Sequence, residues 1–232
     1  MPDVTFADGA DKVVGMAIVE RRAQRTREIL DATRALFDER RMRDAQIEDI
    51  ARAVGINRAI IYRHFTTKEE LFAMTLVDYL NQLETRLAKS DDSQLSPIER
   101  IDTITVEFLS YGSEYPAFVD CAQSLLRHRG SELLEQISLD RLTELGAAIN
   151  RCFDHITSAI LAGNASGDFD VKDPELVANI MYTQGLGILN LVTFQRSIRE
   201  LNSGLPTMEH LPTTEVLDLA KRSVRAIVEI QD

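Results

Sequence analysis

The side chains best suited to chemistry fall in one short stretch. Residues 58–68 read Arg-Ala-Ile-Ile-Tyr-Arg-His-Phe-Thr-Thr-Lys, which sets three cations, a histidine and a phenol within eleven positions. The guanidinium groups of Arg58 and Arg63 can donate to guanine edges or neutralise phosphates. Ala59 is small enough for close approach to a groove floor, and Ile60 can cover a thymine methyl. If Ile61 and Phe65, four apart, point into a core, then Arg58, Ala59, Ile60, Tyr62 and Arg63 face outward. The plainer readings are solvated helix charges at Arg58 and Arg63, and a Tyr62 packed on the core.

Catalytic signatures are missing by contrast. The chain has no GxSxG, P-loop, GxGxxG or HExxH. Cys121 and Cys152 stand far apart and suit buried apolar positions. His128 and His155 have no Cys or carboxylate at ligand spacing. No enzyme activity, cofactor or metal is expected. Two other classes compete: a cofactor enzyme with an appended DNA-binding module, and an interaction protein whose module no longer binds DNA.

The charge is unevenly spread. The net charge is −11 over 232 residues, which alone argues against nucleic acid. Yet residues 21–68 hold twelve Lys and Arg against seven Asp and Glu, and residues 69–232 hold thirteen against twenty-six. A locally basic module joined to an acidic body suggests nucleic-acid contact by one part only, and argues against the interaction-protein reading. Arg21, Arg22, Arg25 and Arg27 lie just before the module and suit a phosphate or minor-groove contact. The first twenty residues lack a long apolar run, so neither a signal peptide nor a membrane span is expected there, and a cytoplasmic location follows.

The elements that must hold these residues are helical. Gly and Pro are scarce, at 11 and 6. Residues 1–19 lack helical periodicity and are expected to form a mobile arm. A first helix runs from about Glu20 to Arg40, a second from near Gln46 to Val54, and a third from an Asn57 cap to Phe65. Gly55 and Ile56 join the last two, the spacing of a helix-turn-helix. Thr67 and Glu70 form a capping box that starts a long helix. Further helices are expected from Pro97, from Pro116, over 131–162 with a bend near Ser138, from Pro174, and over 214–230, with a loop over 163–170. The helix from Pro174 is apolar nearly all round, which predicts burial against its own domain on one side and a second subunit on the other.

Residues 47–72, IEDIARAVGINRAIIYRHFTTKEELF, resemble the N-terminal domain of the TetR family. Ile50-Ala51, Gly55-Ile56, Ile61-Tyr62, His64-Phe65, Lys68-Glu69 and Leu71 fall at that family's spacings, and Leu36-Phe37 in the flanking helix match too. Arg41-Met42, Ala45-Gln46, Glu48 and Ile60 depart from it, with Asp44 a substitute cap and Glu48 a residue that would repel phosphates. The resemblance implies an all-α protein. It has a three-helix DNA-binding domain at 20–66 and a larger ligand-binding and dimerisation domain at 67–232. Its implied function is that of a repressor, binding a palindromic operator in double-stranded DNA as a homodimer and released by a small-molecule effector. It further implies that Tyr62, His64 and Lys68 touch the DNA backbone, although His64 also suits a fold role at the helix end.

For the C-terminal domain the resemblance implies a pocket. Phe108, Tyr111, Tyr115, Phe118, Cys121, Leu125, Phe153, Met181 and Tyr182 are its candidate lining, with plain core as the alternative for each. No charge stands inside these apolar stretches, so a largely apolar ligand is expected. The long helix from Thr67 to about Ala88 would carry a tilt from pocket to recognition helices, which must sit about 34–36 Å apart to read two half-sites.

Overall fold

In a computed structural model, residues 7–40, 45–127, 130–194, 197–200, 206–209 and 213–228 are described. The N-terminal module consists of α1 (Ala7–Arg40), α2 (Ile47–Val54) and α3 (Arg58–His64). The larger domain follows as α4 (Lys68–Ser90), α5 (Pro97–Glu114), α6 (Pro116–Leu126), α7 (Gly130–Gln136), α8 (Leu139–Ser166), α9 (Pro174–Phe194) and α10 (Thr213–Val228). Between α9 and α10 lies a short antiparallel pair, β1 (Ser197–Glu200) and β2 (Pro206–Glu209), with Ser197 opposite Glu209. It is the one departure from an all-helical chain among the described residues.

The helix starts follow local chemistry. The Asn57 side chain accepts from the Ile60 amide at 3.1 Å, as its spacing predicts. Thr67 Oγ1 accepts from the Glu70 amide at 2.9 Å, while the Glu70 carboxylate reaches back one residue further than a simple box, to the Thr66 amide at 3.3 Å. Gly55 ends α2 at φ 70°, the left-handed conformation that glycine adopts without strain. Gln46 stands at the α2 cap without a side-chain bond; Arg41, Met42 and Asp44 lie outside the described residues, as does His128.

Two expectations are corrected. The irregular arm is helical from Ala7: residues 7–19 hold no proline, and three alanines offset the weak helix preference of Gly9 and Gly15. Met16, Ile18 and Val19 there are more than 60% exposed, which is why no apolar stripe announced the helix. The loop expected over 163–170 starts later, since α8 continues to Ser166. Gly163 serves close packing and does not end the helix: a Cβ there would stand 1.9 Å from Phe169 Cδ2. Gly167, at φ 83°, is the cap. The helix from Pro174 ends at Phe194, the last residue of its apolar run, and β1 follows.

One apolar core runs through both parts. Ile29, Phe37, Ile50, Ile61 and Phe65 close the small module, and Leu71, Tyr79, Leu83, Tyr111 and Phe118 continue into the large one. In the large domain α4 lies along α8, while α5 touches α8, α9 and α10.

Candidate nucleic-acid interface and ligand cavity

The outward face of α3 is built as its spacing predicts. Ile61 and Phe65 are buried, and Arg58, Ala59, Tyr62 and Arg63 are exposed. Ile60 is half-covered, so less apolar surface meets water there than a bare helix face would offer. Arg58 is not a loose cation. Its Nη1 donates to Glu48 Oε1 at 2.7 Å, and its guanidinium lies 5.8 Å from the Tyr62 ring centroid. The sequence hinted at this partner only as a misplaced acid on α2.

His64 faces α1. Its Nδ1 meets Thr26 Oγ1 at 2.9 Å, and the Thr26 hydroxyl also donates to the Arg22 carbonyl at 3.0 Å. With its proton committed to that carbonyl, Thr26 accepts from Nδ1–H, which leaves Nε2 as the free lone pair. Partial burial, then the cations Arg22 and Arg25, hold the His64 pKa below the usual imidazole value. The residue is thus a neutral strut between α1 and α3, the fold role that the sequence left open. Arg22 Nη2 donates to the Arg63 carbonyl at 3.4 Å, so the basic stretch of α1 flanks the end of α3. Arg25 pairs with Glu28 at 2.9 Å and Arg27 bonds Gln24. Lys68 is half-buried on the first turn of α4, with Nζ 4.9 Å from the Phe72 ring centroid.

The second feature is a cavity of about 80 Å³ inside the large domain. Leu80, Leu83 and Leu87 of α4, Ile104 and Phe108 of α5, Cys152 and Phe153 of α8, Met181 and Tyr182 of α9, and Val224 of α10 line it. None of its lining residues is charged. Four expected residues, Phe108, Phe153, Met181 and Tyr182, are in the wall. The other five are not. Tyr111, Tyr115 and Phe118 form an aromatic column beside it, with Phe118 6.0 Å from Phe108 and 5.3 Å from Tyr111. Tyr115 faces α1, where Arg34 inserts between Tyr79 and Tyr115, 4.3 and 5.3 Å from their centroids, and the Tyr111 hydroxyl turns to the Tyr79 carbonyl of α4 at 2.8 Å. Arg34 also donates to Gln82 Oε1, and Tyr79 donates to Asp38 of α1 at 2.6 Å. Cys121 and Leu125 lie at a separate cleft between α4, α6 and α7, shared with Lys68 and Ile137. Periodicity marked all nine as apolar or aromatic but could not say on which side of α5 and α6 the space lies.

The sequence reading missed the α4 leucines, whose stripe looked like ordinary core, along with Cys152 and Gln184. Burial pushes the Cys152 thiol up to about 12, so it stays protonated. Gln184 was legible as a polar residue in an apolar helix. Its amide nitrogen donates to Ser223 Oγ on α10, while Oε1 is buried without a hydrogen-bond partner.

These features define a two-domain helical protein with an N-terminal helix-turn-helix. The model of the bacterial regulatory proteins, tetR family, matches residues 29–74, so the TetR resemblance is borne out over the N-terminal module. Over 74 residues the chain is 36% identical to the HTH-type transcriptional repressor KstR2 of Mycobacterium tuberculosis, a match covering 32% of this chain and 37% of that protein. The chain thus matches little more than a third of that relative's length. A solved bacterial regulatory protein of the tetR family from Rhodococcus RHA1 shares the fold at TM-score 0.62 and 15% identity, over 89% of this chain and 98% of that one. RolR, solved in complex with resorcinol, does so at TM-score 0.62 and 12% identity, over 92% and 91%.

Proposed function

We propose that this protein is a transcriptional repressor that binds a palindromic DNA operator as a homodimer and releases it when a small, largely apolar molecule fills the C-terminal cavity. The observation that carries this reading is the connection between the two sites. The outward face of α3 is tied through α1 and α4 to the aromatic column beside an uncharged cavity. Arg58, Ala59, Ile60 and Arg63 are the groups that meet the groove. Tyr62, Lys68 and the arginines of α1 meet phosphates, with His64 close by at the end of α3. The repressor function of KstR2 supports the DNA-binding half, and the resorcinol complex of RolR supports the ligand half. No enzyme activity is assigned, and action on DNA implies a cytoplasmic location. Among the described residues no helix is long and apolar enough to cross a membrane.

The dimer rests on α9. Leu176, Ile180, Thr183, Gly187 and Leu191 recur at spacings of three and four and are all exposed, so they form one stripe on the face away from the core. A Cβ added at Gly187 would meet nothing within 4 Å, which leaves that turn open to a partner helix. Exposed Leu219 extends the apolar surface onto α10. Two helices from each subunit would close a four-helix interface. Light scattering at micromolar concentration should return twice the chain mass; a monomer would sink this part.

The switch is mechanical. α4 spans roughly 35 Å, so a small tilt at the cavity becomes a shift of several ångströms in the spacing of two recognition helices. A gel shift with the DNA upstream of the protein's own gene, at two salt concentrations, tests the central claim. A retarded band that weakens with salt is expected, and no band at either concentration would defeat it.

A further inference from the structure

We infer that the molecule recognised by the C-terminal cavity is neutral and carries a hydrogen-bond donor, as a phenol or simple alcohol does, and that the Gln184 side-chain carbonyl accepts this donor. The inference rests on reading the cavity as the ligand site and says what chemistry that site selects.

The first argument is electrostatic. The wall contains no Lys, Arg, His, Asp or Glu. A carboxylate, phosphate or ammonium brought into it would lose its water and gain no counter-charge, which is the costliest way to bury a group. Ionisation of the wall itself offers no remedy. Burial pushes the Tyr182 phenol upward, so both it and the Cys152 thiol stay protonated.

The second argument is the hydrogen-bond account. Among the polar groups of the wall, the Thr105 hydroxyl donates to the Ile101 carbonyl at 2.8 Å, and the Cys152 thiol to the Leu80 carbonyl at 3.4 Å. Gln184 differs. Its amide nitrogen is held by Ser223 of α10, and its oxygen is buried with no partner. Buried carbonyls are nearly always paired, so an exception in a cavity wall points to something that occupies the cavity. The amide cannot swing outward to find water without breaking its bond to α10. A water molecule needs two to four polar partners to be held well, and besides the amide the wall offers only the Tyr182 hydroxyl and the already bonded Thr105 and Cys152. A ligand whose body fills the apolar space and whose donor meets Oε1 answers both needs.

The third argument concerns the shape of that body. Phe108, Phe153 and Tyr182 present ring edges and faces to one another, with centroids 5.9 Å apart for Phe108 and Tyr182 and 5.3 Å for Phe153 and Tyr182. Gly185, next to Gln184, lets the Phe108 ring lie against the α9 backbone, since a Cβ there would stand 2.7 Å from Phe108 Cε1. Rings arranged this way suit a flat aromatic guest.

The test uses the full chain and three small probes: 4-propylphenol, its methyl ether and 4-propylbenzoate. Thermal shift and calorimetry are run on wild type and on Gln184→Met, which keeps length and removes the acceptor. The phenol should bind wild type about tenfold more tightly than the ether, the value of one buried hydrogen bond. The benzoate should produce no shift. In Gln184→Met the phenol should fall to the level of the ether, whose own affinity should not change. Equal binding of phenol and ether to wild type, or a phenol preference that survives in Gln184→Met, overturns the role of Gln184 while leaving the cavity as a ligand site. Binding of the benzoate overturns the requirement for neutrality. Failure of every probe, the ether included, overturns the cavity reading together with this one. The wild-type comparison stands by itself should the variant not fold.

Discussion

In the helix-turn-helix the side chains assigned to function point outward from a tight core, whereas in the large domain they point inward around a space. The two arrangements distribute risk differently. Arg58, Ala59, Tyr62 and Arg63 are exposed, so their identity is largely free of the core packing beneath them. Phe108, Met181 and Tyr182 serve as wall and core together, so any change there alters ligand and stability at once. Position on the surface separates chemistry from folding; position in a cavity fuses them.

The largest effect that could break this separation is Phe65→Ala. Phe65 is fully buried beneath α3, and its truncation should cost about 3–5 kcal/mol. DNA binding should vanish while probe binding in the cavity survives, as read by gel shift and thermal shift on one sample. Loss of both would mean that the two regions fold as one unit. Next comes Arg58→Ala, which should relax preference at one base position by about 1–3 kcal/mol, measured with a set of single-base operator variants. Lys68→Ala should instead weaken all sequences alike and lower the salt slope by about one unit. An unchanged base preference in Arg58→Ala would move that residue to the phosphates.

Arg34→Met addresses the bridge between the regions. Arg34 is held between Tyr79 and Tyr115, so its loss should reduce the mutual effect of ligand and DNA by about 0.5–2 kcal/mol with each separate affinity nearly kept. Titrating the phenol with and without operator reads this directly, and an unaltered coupling would exclude the aromatic column as its carrier.

The smallest effect is on pH. His64 has a lowered pKa and is neutral near pH 7. A phosphate nearby favours the charged form, so docking takes up a proton and operator affinity should rise as pH falls from about 7.5 toward 6. Stability should move the opposite way. Because the folded pKa lies below the unfolded one, the unfolded chain binds the extra proton first, and stability declines as pH falls through about 6.5. Gel shifts across this range, repeated with His64→Gln, check the first sign, and the variant should flatten the slope.

The same contrast explains what could be read without coordinates. The helix-turn-helix was legible because Gly55, Asn57, Thr67 and the Ile61–Phe65 pair each have one local job fixed by backbone geometry. The cavity was half legible. Aromatic residues on α5, α6 and α9 announced an interior, but sorting Tyr115 from Phe108 depends on where Arg34 of a distant helix inserts. The early start of α1 was illegible for the opposite reason: Met16, Ile18 and Val19 are exposed, and apolar residues that need not share a face leave no helical stripe in the sequence.

The Glu48–Arg58 pair carries one more consequence. With a carboxylate already 2.7 Å from its guanidinium, Arg58 would, in the proposed DNA complex, enter by exchange and not by addition. The domain therefore supplies its own rival for the groove, tethered at an effective concentration that free anions do not reach. Both groups are more than half exposed, so the pair is worth about 1 kcal/mol or less, and a base edge that offers less than Glu48 leaves Arg58 mostly in the pair. Salt screens rival and prize together, so the share of affinity owed to Arg58 should be less sensitive to ionic strength than that owed to Lys68. An acid in the middle of a basic module thus works as a low threshold, trading a little affinity for selectivity.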